Sequence, residues 1–281
     1  MNQKEVKNLL KKYNLRPSRG LGQNFLVDEG VLKKIIEAAN LSKSDVVLEV
    51  GPGIGNLTLE LAKRVKKVIA IEKDLGMIEV LRINLKNFKN VEILKGDALK
   101  IISHKLSATA SVLWPRYKVV ANIPYYLTSH LIRKFLEAKN QPKEIILMVQ
   151  KEVAQRICAK PPDMSILAVS VQFYAKPEII SFVSKKSFWP SPKVDSAILR
   201  ITQIHTDKKT DSHRFFRIVK AGFSQPRKQI INNLSKMLTL NKNEVKKWLL
   251  KNRIKPRQRA ETLNIENWVK LTETLENRER L

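Results

Sequence analysis

With 281 residues and 43% hydrophobic content, the chain can bury a full core as one large domain with a smaller appendage. Lys and Arg outnumber Asp and Glu by 53 to 26, and the net charge of +27 sets up a positive surface field that makes nucleic acid the expected partner. Cys158 is the single cysteine, which excludes a disulfide framework, and His104, His130, His205 and His213 are scattered without ligand spacing, so no metal site is expected.

Residues 1–20 read as a basic N-terminal extension. Met1–Arg19 mixes Lys and Glu without an apolar segment or a small-residue cleavage site, and no apolar run is long enough to span a bilayer. The expectation is a cytoplasmic protein with no membrane association. From about Leu32 to about Ile204, short β-branched runs alternate with amphipathic helical stretches, the pattern of an α/β fold. Val46–Val50, Val68–Ile71, Val91–Leu94, Lys118–Ala121, Glu144–Val149, Ile179–Val183 and Ala197–Ile201 are the strand candidates. The last two are joined by Ser184–Asp195, which holds Pro190 and Pro192 and has no room for a crossover helix, so they should form an antiparallel hairpin at the sheet edge. The predicted fold is a doubly wound, seven-stranded, mostly parallel Rossmann-like sheet of the methyltransferase type. Beyond Gln203 the pattern turns helical, over His213–Phe223, Lys228–Leu238, Asn243–Asn252 and Ile265–Leu275. A boundary is placed near 205, with residues 1–205 as the catalytic domain and 206–281 as a small, all-α, basic RNA-binding domain. Arg227, Lys228, Lys251, Arg253, Lys255, Arg257 and Arg259 are its candidate phosphate contacts.

Strand Val46–Val50 runs into Gly51-Pro52-Gly53-Ile54-Gly55 before Asn56 opens a helix, which places glycines where the backbone must turn tightly and approach a ligand. The dinucleotide fingerprint needs its third glycine three positions after the second, and Asn56 stands there instead. Pro52 has no amide hydrogen for a pyrophosphate. Glu72 at the end of the second strand can accept from both hydroxyls of a ribose, and Asp97 at the end of the third can accept from an adenine amine. Two acids at successive strand ends after a glycine turn fit S-adenosyl-L-methionine.

The fourth strand ends in Asn122-Ile123-Pro124-Tyr125-Tyr126, similar to the Asn/Asp-Pro-Pro-aromatic tetrad of enzymes that methylate exocyclic amines. The lone pair of adenine N6 is delocalised into the ring. Accepting its two N–H groups on the Asn122 side-chain oxygen and the Ile123 or Pro124 carbonyl favours the pyramidal geometry of attack without a strong base. Tyr125 offers a face for an extruded base, and Phe188 or Trp189 in Phe188-Trp189-Pro190-Ser191-Pro192-Lys193-Val194 could close the other side or serve as a hydrophobic plug.

Six motifs together resemble the small-subunit (16S) ribosomal RNA adenine N6-dimethyltransferases, from about Arg19 to about Leu263. They are Gly22-Gln23-Asn24-Phe25-Leu26, Glu49 to Thr58, Asn122 to Tyr125, Phe188 to Ser196, Ala221 to Lys228 and Arg259 to Leu263. The resemblance implies a cofactor site of Gln23, Asn24, Leu26, Gly51, Gly53, Gly55, Glu72, Asp97, Ala98 and Asn122, with Asn24 and Leu26 at the methionine end. It implies a catalytic set of Asn122, Pro124, Tyr125 and Phe188. The implied substrate is a pair of adjacent adenosines in the 3′-terminal hairpin loop of 16S RNA in the assembling 30S subunit, dimethylated by a monomeric enzyme. Ala159–Ser165 lacks an expected glycine and tyrosine, Pro226 replaces a basic residue, and Ser103–Arg116 is long for this family. Competing readings are the large-subunit (23S) adenine methylases, a non-catalytic nucleic-acid-binding protein on the same fold, and a DNA N6-adenine methylase.

Overall fold

The computed structural model describes residues 1–105, 116–204 and 210–275. Residues 106–115, within the long connection before the fourth predicted strand, and 205–209, at the expected boundary, lie outside them. The described strands are β1 (Phe25–Leu26), β2 (Val46–Val50), β3 (Lys67–Glu72), β4 (Val91–Lys95), β5 (Tyr117–Asn122), β6 (Glu144–Gln150), β7 (Lys176–Val183), β8 (Phe188–Trp189) and β9 (Ser196–Thr202).

Seven of them form one sheet in the order β4-β3-β2-β5-β6-β9-β7, parallel through β6 and then antiparallel at β9 and β7. The seven strands read from the sequence are these, and the reversed edge is where the proline-bearing connection required it. Burial follows position. In β2 and β6 all but one terminal residue are buried, as strands covered on both faces must be, whereas the edge strand β7 alternates exposed and half-buried residues until Val183. The chain leaves β2 toward β3 and β4 on one side and resumes at β5 on the other. The order therefore reverses between β2 and β5, and a crevice opens at their carboxyl ends.

The amino ends are tied by charge. Lys118 on β5 donates to the Ala39 and Asn40 carbonyls at 2.9 and 2.7 Å and pairs with Asp45 at 3.3 Å. The two-residue pair β1–β8 was not foreseen. It sets Phe25 opposite Trp189 and Leu26 opposite Phe188, and Ser187 Oγ adds a 2.8 Å hydrogen bond to Asp28, the N-cap of helix Glu29–Ala38. This hydrogen bond, with backbone donors outweighing partial burial, holds the Asp28 carboxyl below the usual range.

By internal contacts the chain forms two compact units, Met1–Gln155 with Ala175–His205, and Arg156–Tyr174 with Thr206–Leu281. The second thus takes in a segment from before residue 205. It is helical, with Ile166–Gln172, Ser212–Gly222, Ile230–Met237, Lys242–Lys251 and Ile265–Thr274. Phe173 stacks on the buried Phe215 with ring centroids 4.0 Å apart, and Trp268 is fully buried against Gly222.

A Cβ on Gly222 would stand 2.4 Å from the Trp268 ring. Gly222→Ala gains about 1 kcal/mol of helix propensity but forces a ring that has no room to move, at about 1–3 kcal/mol. The expected outcome is a thermal midpoint lowered by a few degrees in calorimetry.

Candidate active site

The crevice is a cleft of about 1060 Å³ including its open mouth, walled by the carboxyl ends of β2, β3, β4 and β5 and by the segment 21–26. Gly51, Gly53 and Gly55 all have left-handed backbone, with φ of 69°, 56° and 90°. At Gly55 this matters twice, because a Cβ would also lie 2.7 Å from a Leu81 methyl. Gly55 caps helix Asn56–Ala62 from behind and does not line the cleft, whereas Gly51 and Gly53 do.

Glu72, at the end of β3, is 7% exposed. Its carboxylate accepts from the backbone N–H of Gly53 at 3.0 Å, Lys73 at 2.7 Å and Asp74 at 2.9 Å, so one side chain clamps the glycine turn to the strand beside it. Burial raises its carboxyl above the usual range despite these three donors. Asp97 accepts from Leu99 N–H at 3.0 Å and from Lys73 Nζ at 3.3 Å. Partial burial opposes its ionisation, but those donors hold its carboxyl low. Ala98 follows it on the wall. Gln23 lines the cleft, yet both ends of its amide are committed: Oε1 accepts from Ser18 N–H at 2.7 Å and Nε2 donates to Asp74 at 2.9 Å.

Asn122 ends β5, and its Nδ2 donates to the Asn24 carbonyl at 3.2 Å. Among the described residues, none donates to its Oδ1, which remains as an acceptor on the cleft wall. Pro124 packs across the glycine turn, 3.5 Å from where a Gly51 Cβ would be. The Pro124 carbonyl accepts from Leu127 N–H at 3.0 Å. Tyr125 lines the cleft with its hydroxyl 2.7 Å from Ser196 Oγ on β9, and burial, reinforced by the charge of Asp195, keeps the phenol protonated beyond its ordinary range.

Every candidate cofactor residue except Gly55 lines this one cleft, as do Asn122, Pro124 and Tyr125. Phe188 is not on its wall. The β1–β8 pairing turns it into the core beside Leu26, Val183 and Ile198, where it is 3% exposed. Tyr126 is 56% exposed at the rim. Two residues of the site carried no role in the sequence reading. Ser196 could have been noted as the polar residue closing the motif that begins at Phe188. Glu49, one residue before the end of β2, is an acid inside an apolar strand, which is itself the signal. The basic residues Arg227, Lys228, Lys251, Arg253, Lys255, Arg257 and Arg259 are all exposed on the helical unit. From 251 to 259 the cations fall on alternate positions, while Asn252, Ile254 and Ala260 turn inward.

The family model described as ribosomal RNA adenine dimethylase matches residues 14–277. A protein of Dehalococcoides mccartyi (strain CBDB1) called ribosomal RNA small subunit methyltransferase A is 42% identical over 269 residues, covering 95% of this chain and 91% of its own. The crystal structure of a dimethyladenosine transferase from Plasmodium falciparum superposes with a TM-score of 0.71 at 30% identity, over 87% of this chain and 94% of that one. That of the 23S rRNA methyltransferase ErmE gives a TM-score of 0.70 at 28% identity, over 89% and 98%.

Proposed function

The chain belongs to the ribosomal RNA adenine dimethylase family, and we propose that it transfers methyl groups from S-adenosyl-L-methionine to the N6 amines of two adjacent adenosines, dimethylating each, in the 3′-terminal hairpin loop of 16S ribosomal RNA. The reaction is assigned to the assembling 30S subunit, in the cytoplasm, with the enzyme acting as a monomer. The observation that carries this reading is Asn122: its amide nitrogen is fixed on the Asn24 carbonyl while its oxygen faces a cleft walled by Glu72 and Asp97.

The residues present fit the cofactor. Glycines that lack side chains expose backbone along the cleft, and Glu72 and Asp97 stand at successive strand ends for ribose and adenine. The cofactor supplies an electrophilic methyl on a sulfonium that is a good leaving group. The chain supplies position and polarity. Asn122 Oδ1 accepts one N6 hydrogen and the Ile123 carbonyl the other, because the Pro124 carbonyl is already engaged by Leu127. Tyr125, pinned to Ser196, presents a fixed ring for the extruded base, and as a protonated phenol it does not act as a base. A monomethylated amine retains one hydrogen for Asn122, which permits the second transfer.

Residues 206–281 are assigned to RNA binding, through Arg227, Lys228, Lys251, Arg253, Lys255, Arg257 and Arg259. The triple variant Lys255→Ala, Arg257→Ala, Arg259→Ala is expected to lower the slope of log affinity against log salt by about 2–3, at 0.7–0.9 per lost phosphate contact. Filter binding across a salt series checks this.

The direct test is labelled cofactor with unmethylated small subunits, large subunits, free RNA and duplex DNA in parallel, followed by nucleoside identification. N6,N6-dimethyladenosine from small subunits alone supports the proposal. Label in large subunits or DNA, or none anywhere, overturns it.

A further inference from the structure

We propose that Glu49 is the charge partner of the bound cofactor: it stands protonated in the cleft wall and releases its proton when the cationic methionine end of S-adenosylmethionine is seated. The inference rests on the cofactor assignment above and adds a residue and a linked proton to it.

Glu49 lies one residue before the end of β2, two before Gly51, and lines the cleft although only 1% of it is exposed. Among the described residues, its Oε2 has no hydrogen-bond partner. A buried carboxylate with one oxygen unpartnered and no cation beside it is not stable in the charged form, so a proton must sit on it. The facing groups agree. From β3 the charge acting on it is the carboxylate of Glu72, and helix Asn56–Ala62 offers only the Thr58 hydroxyl. Burial pushes the Glu49 carboxyl up to about 8, outweighing the opposing pull of the Thr58 hydroxyl, and the Glu72 charge adds a smaller push in the same direction.

S-adenosylmethionine carries a net positive charge from its sulfonium and ammonium groups, and a cation beside a buried carboxyl favours the ionised form. On binding, the carboxyl O–H bond breaks, its electron pair stays on the oxygen and the proton leaves to water through the cleft mouth. Nothing is oxidised or reduced. Binding linked to deprotonation tightens as pH rises, up to tenfold per unit below about 8, and levels off above it.

Isothermal titration at pH 7 in two buffers of different ionisation enthalpy reads the proton directly. An acid titrating near 8 is about 90% protonated at pH 7, so roughly 0.9 proton should be released per S-adenosylmethionine bound. Glu49→Gln should release none, and wild type should release none with adenosine, which reaches Glu72 and Asp97 but brings no cation. S-adenosylmethionine binding without proton release, or undiminished release by Glu49→Gln or with adenosine, overturns the inference alone. Failure to bind S-adenosylmethionine overturns the cofactor assignment and the inference with it. A second readout needs no ligand. A carboxyl raised in the folded state destabilises the fold progressively as pH climbs from the ordinary glutamate range toward about 8, and a glutamine does not. The melting midpoint of Glu49→Gln should therefore gain on wild type between pH 5 and pH 8, and a constant difference counts against the proposal.

Discussion

Asn122→Ala is expected to lower kcat for methyl transfer by roughly 10³-fold, the scale set by removing one preorganised polar group from a reacting centre, while the dissociation constant for S-adenosylmethionine changes by less than about tenfold. The asymmetry follows from the two ends of the amide. Nδ2 donates to the Asn24 carbonyl at 3.2 Å, a contact that fixes the side chain, while among the described residues none donates to Oδ1. In the proposed mechanism Oδ1 acts on the target amine, whose lone pair reaches the methyl group only after its hydrogens are drawn out of the ring plane. Alanine removes that acceptor and leaves Glu72, Asp97 and the glycine turn in place. Asn122→Asp restores an acceptor but sets a carboxylate against the Asn24 carbonyl, so its rate should fall between the two. Single-turnover rates with saturating cofactor, beside calorimetric binding, separate the terms. Near-normal turnover in Asn122→Ala would remove Asn122 from the mechanism.

The cleft wall was legible because each part of it has a local signal. Three glycines in five residues announce a turn with left-handed backbone, and an acid at the end of an apolar run announces a strand end facing something polar. The seven-stranded sheet was legible from β-branched runs, and its reversed edge from a connection too short to cross over. What escaped was set by contacts distant in sequence. A two-residue strand has no periodicity, so the pairing of Phe25–Leu26 with Phe188–Trp189 left no trace, and with it the inward turn of Phe188 was hidden. Gln23 and Tyr125 were read by residue type, and the partners that fix them, Asp74 and Ser196, lie 51 and 71 positions away. Charge alone marked the basic 251–259 stretch. Its alternation of outward cations with buried Asn252 and Ile254 emerges only once the segment lies against its neighbours.

Glu72→Ala is expected to weaken S-adenosylmethionine binding by about 10²-fold or more, the largest effect on cofactor affinity anticipated at this site. The carboxylate serves two sets of partners. Three of its roughly four lone-pair directions hold the N–H groups of Gly53, Lys73 and Asp74, and the remainder, with shared three-centre bonds, is available to ribose hydroxyls. Hydrogen bonds to a charged acceptor contribute about 1.5–3 kcal/mol each, so losing the ribose contact with the clamp on Gly53 accounts for about 3 kcal/mol, which is about 10²-fold in affinity. Glutamine should not rescue the loss. Its NH₂ must face either the Gly53 N–H or the Lys73 and Asp74 N–H groups, a donor against donors in both orientations. Glu72→Gln should therefore also bind cofactor weakly, and Glu72→Asp, one methylene shorter, cannot span both sets. Because burial raises the Glu72 carboxyl and only the ionised form accepts from both sets, adenosine binding should weaken as pH falls through a range above that of ordinary glutamates. Adenosine has no cation for Glu49, so its affinity reads Glu72 alone. Wild-type affinity for adenosine that stays flat with pH, or a Glu72→Gln variant that binds it normally, would assign the carboxylate to holding the turn and leave the ribose to other groups.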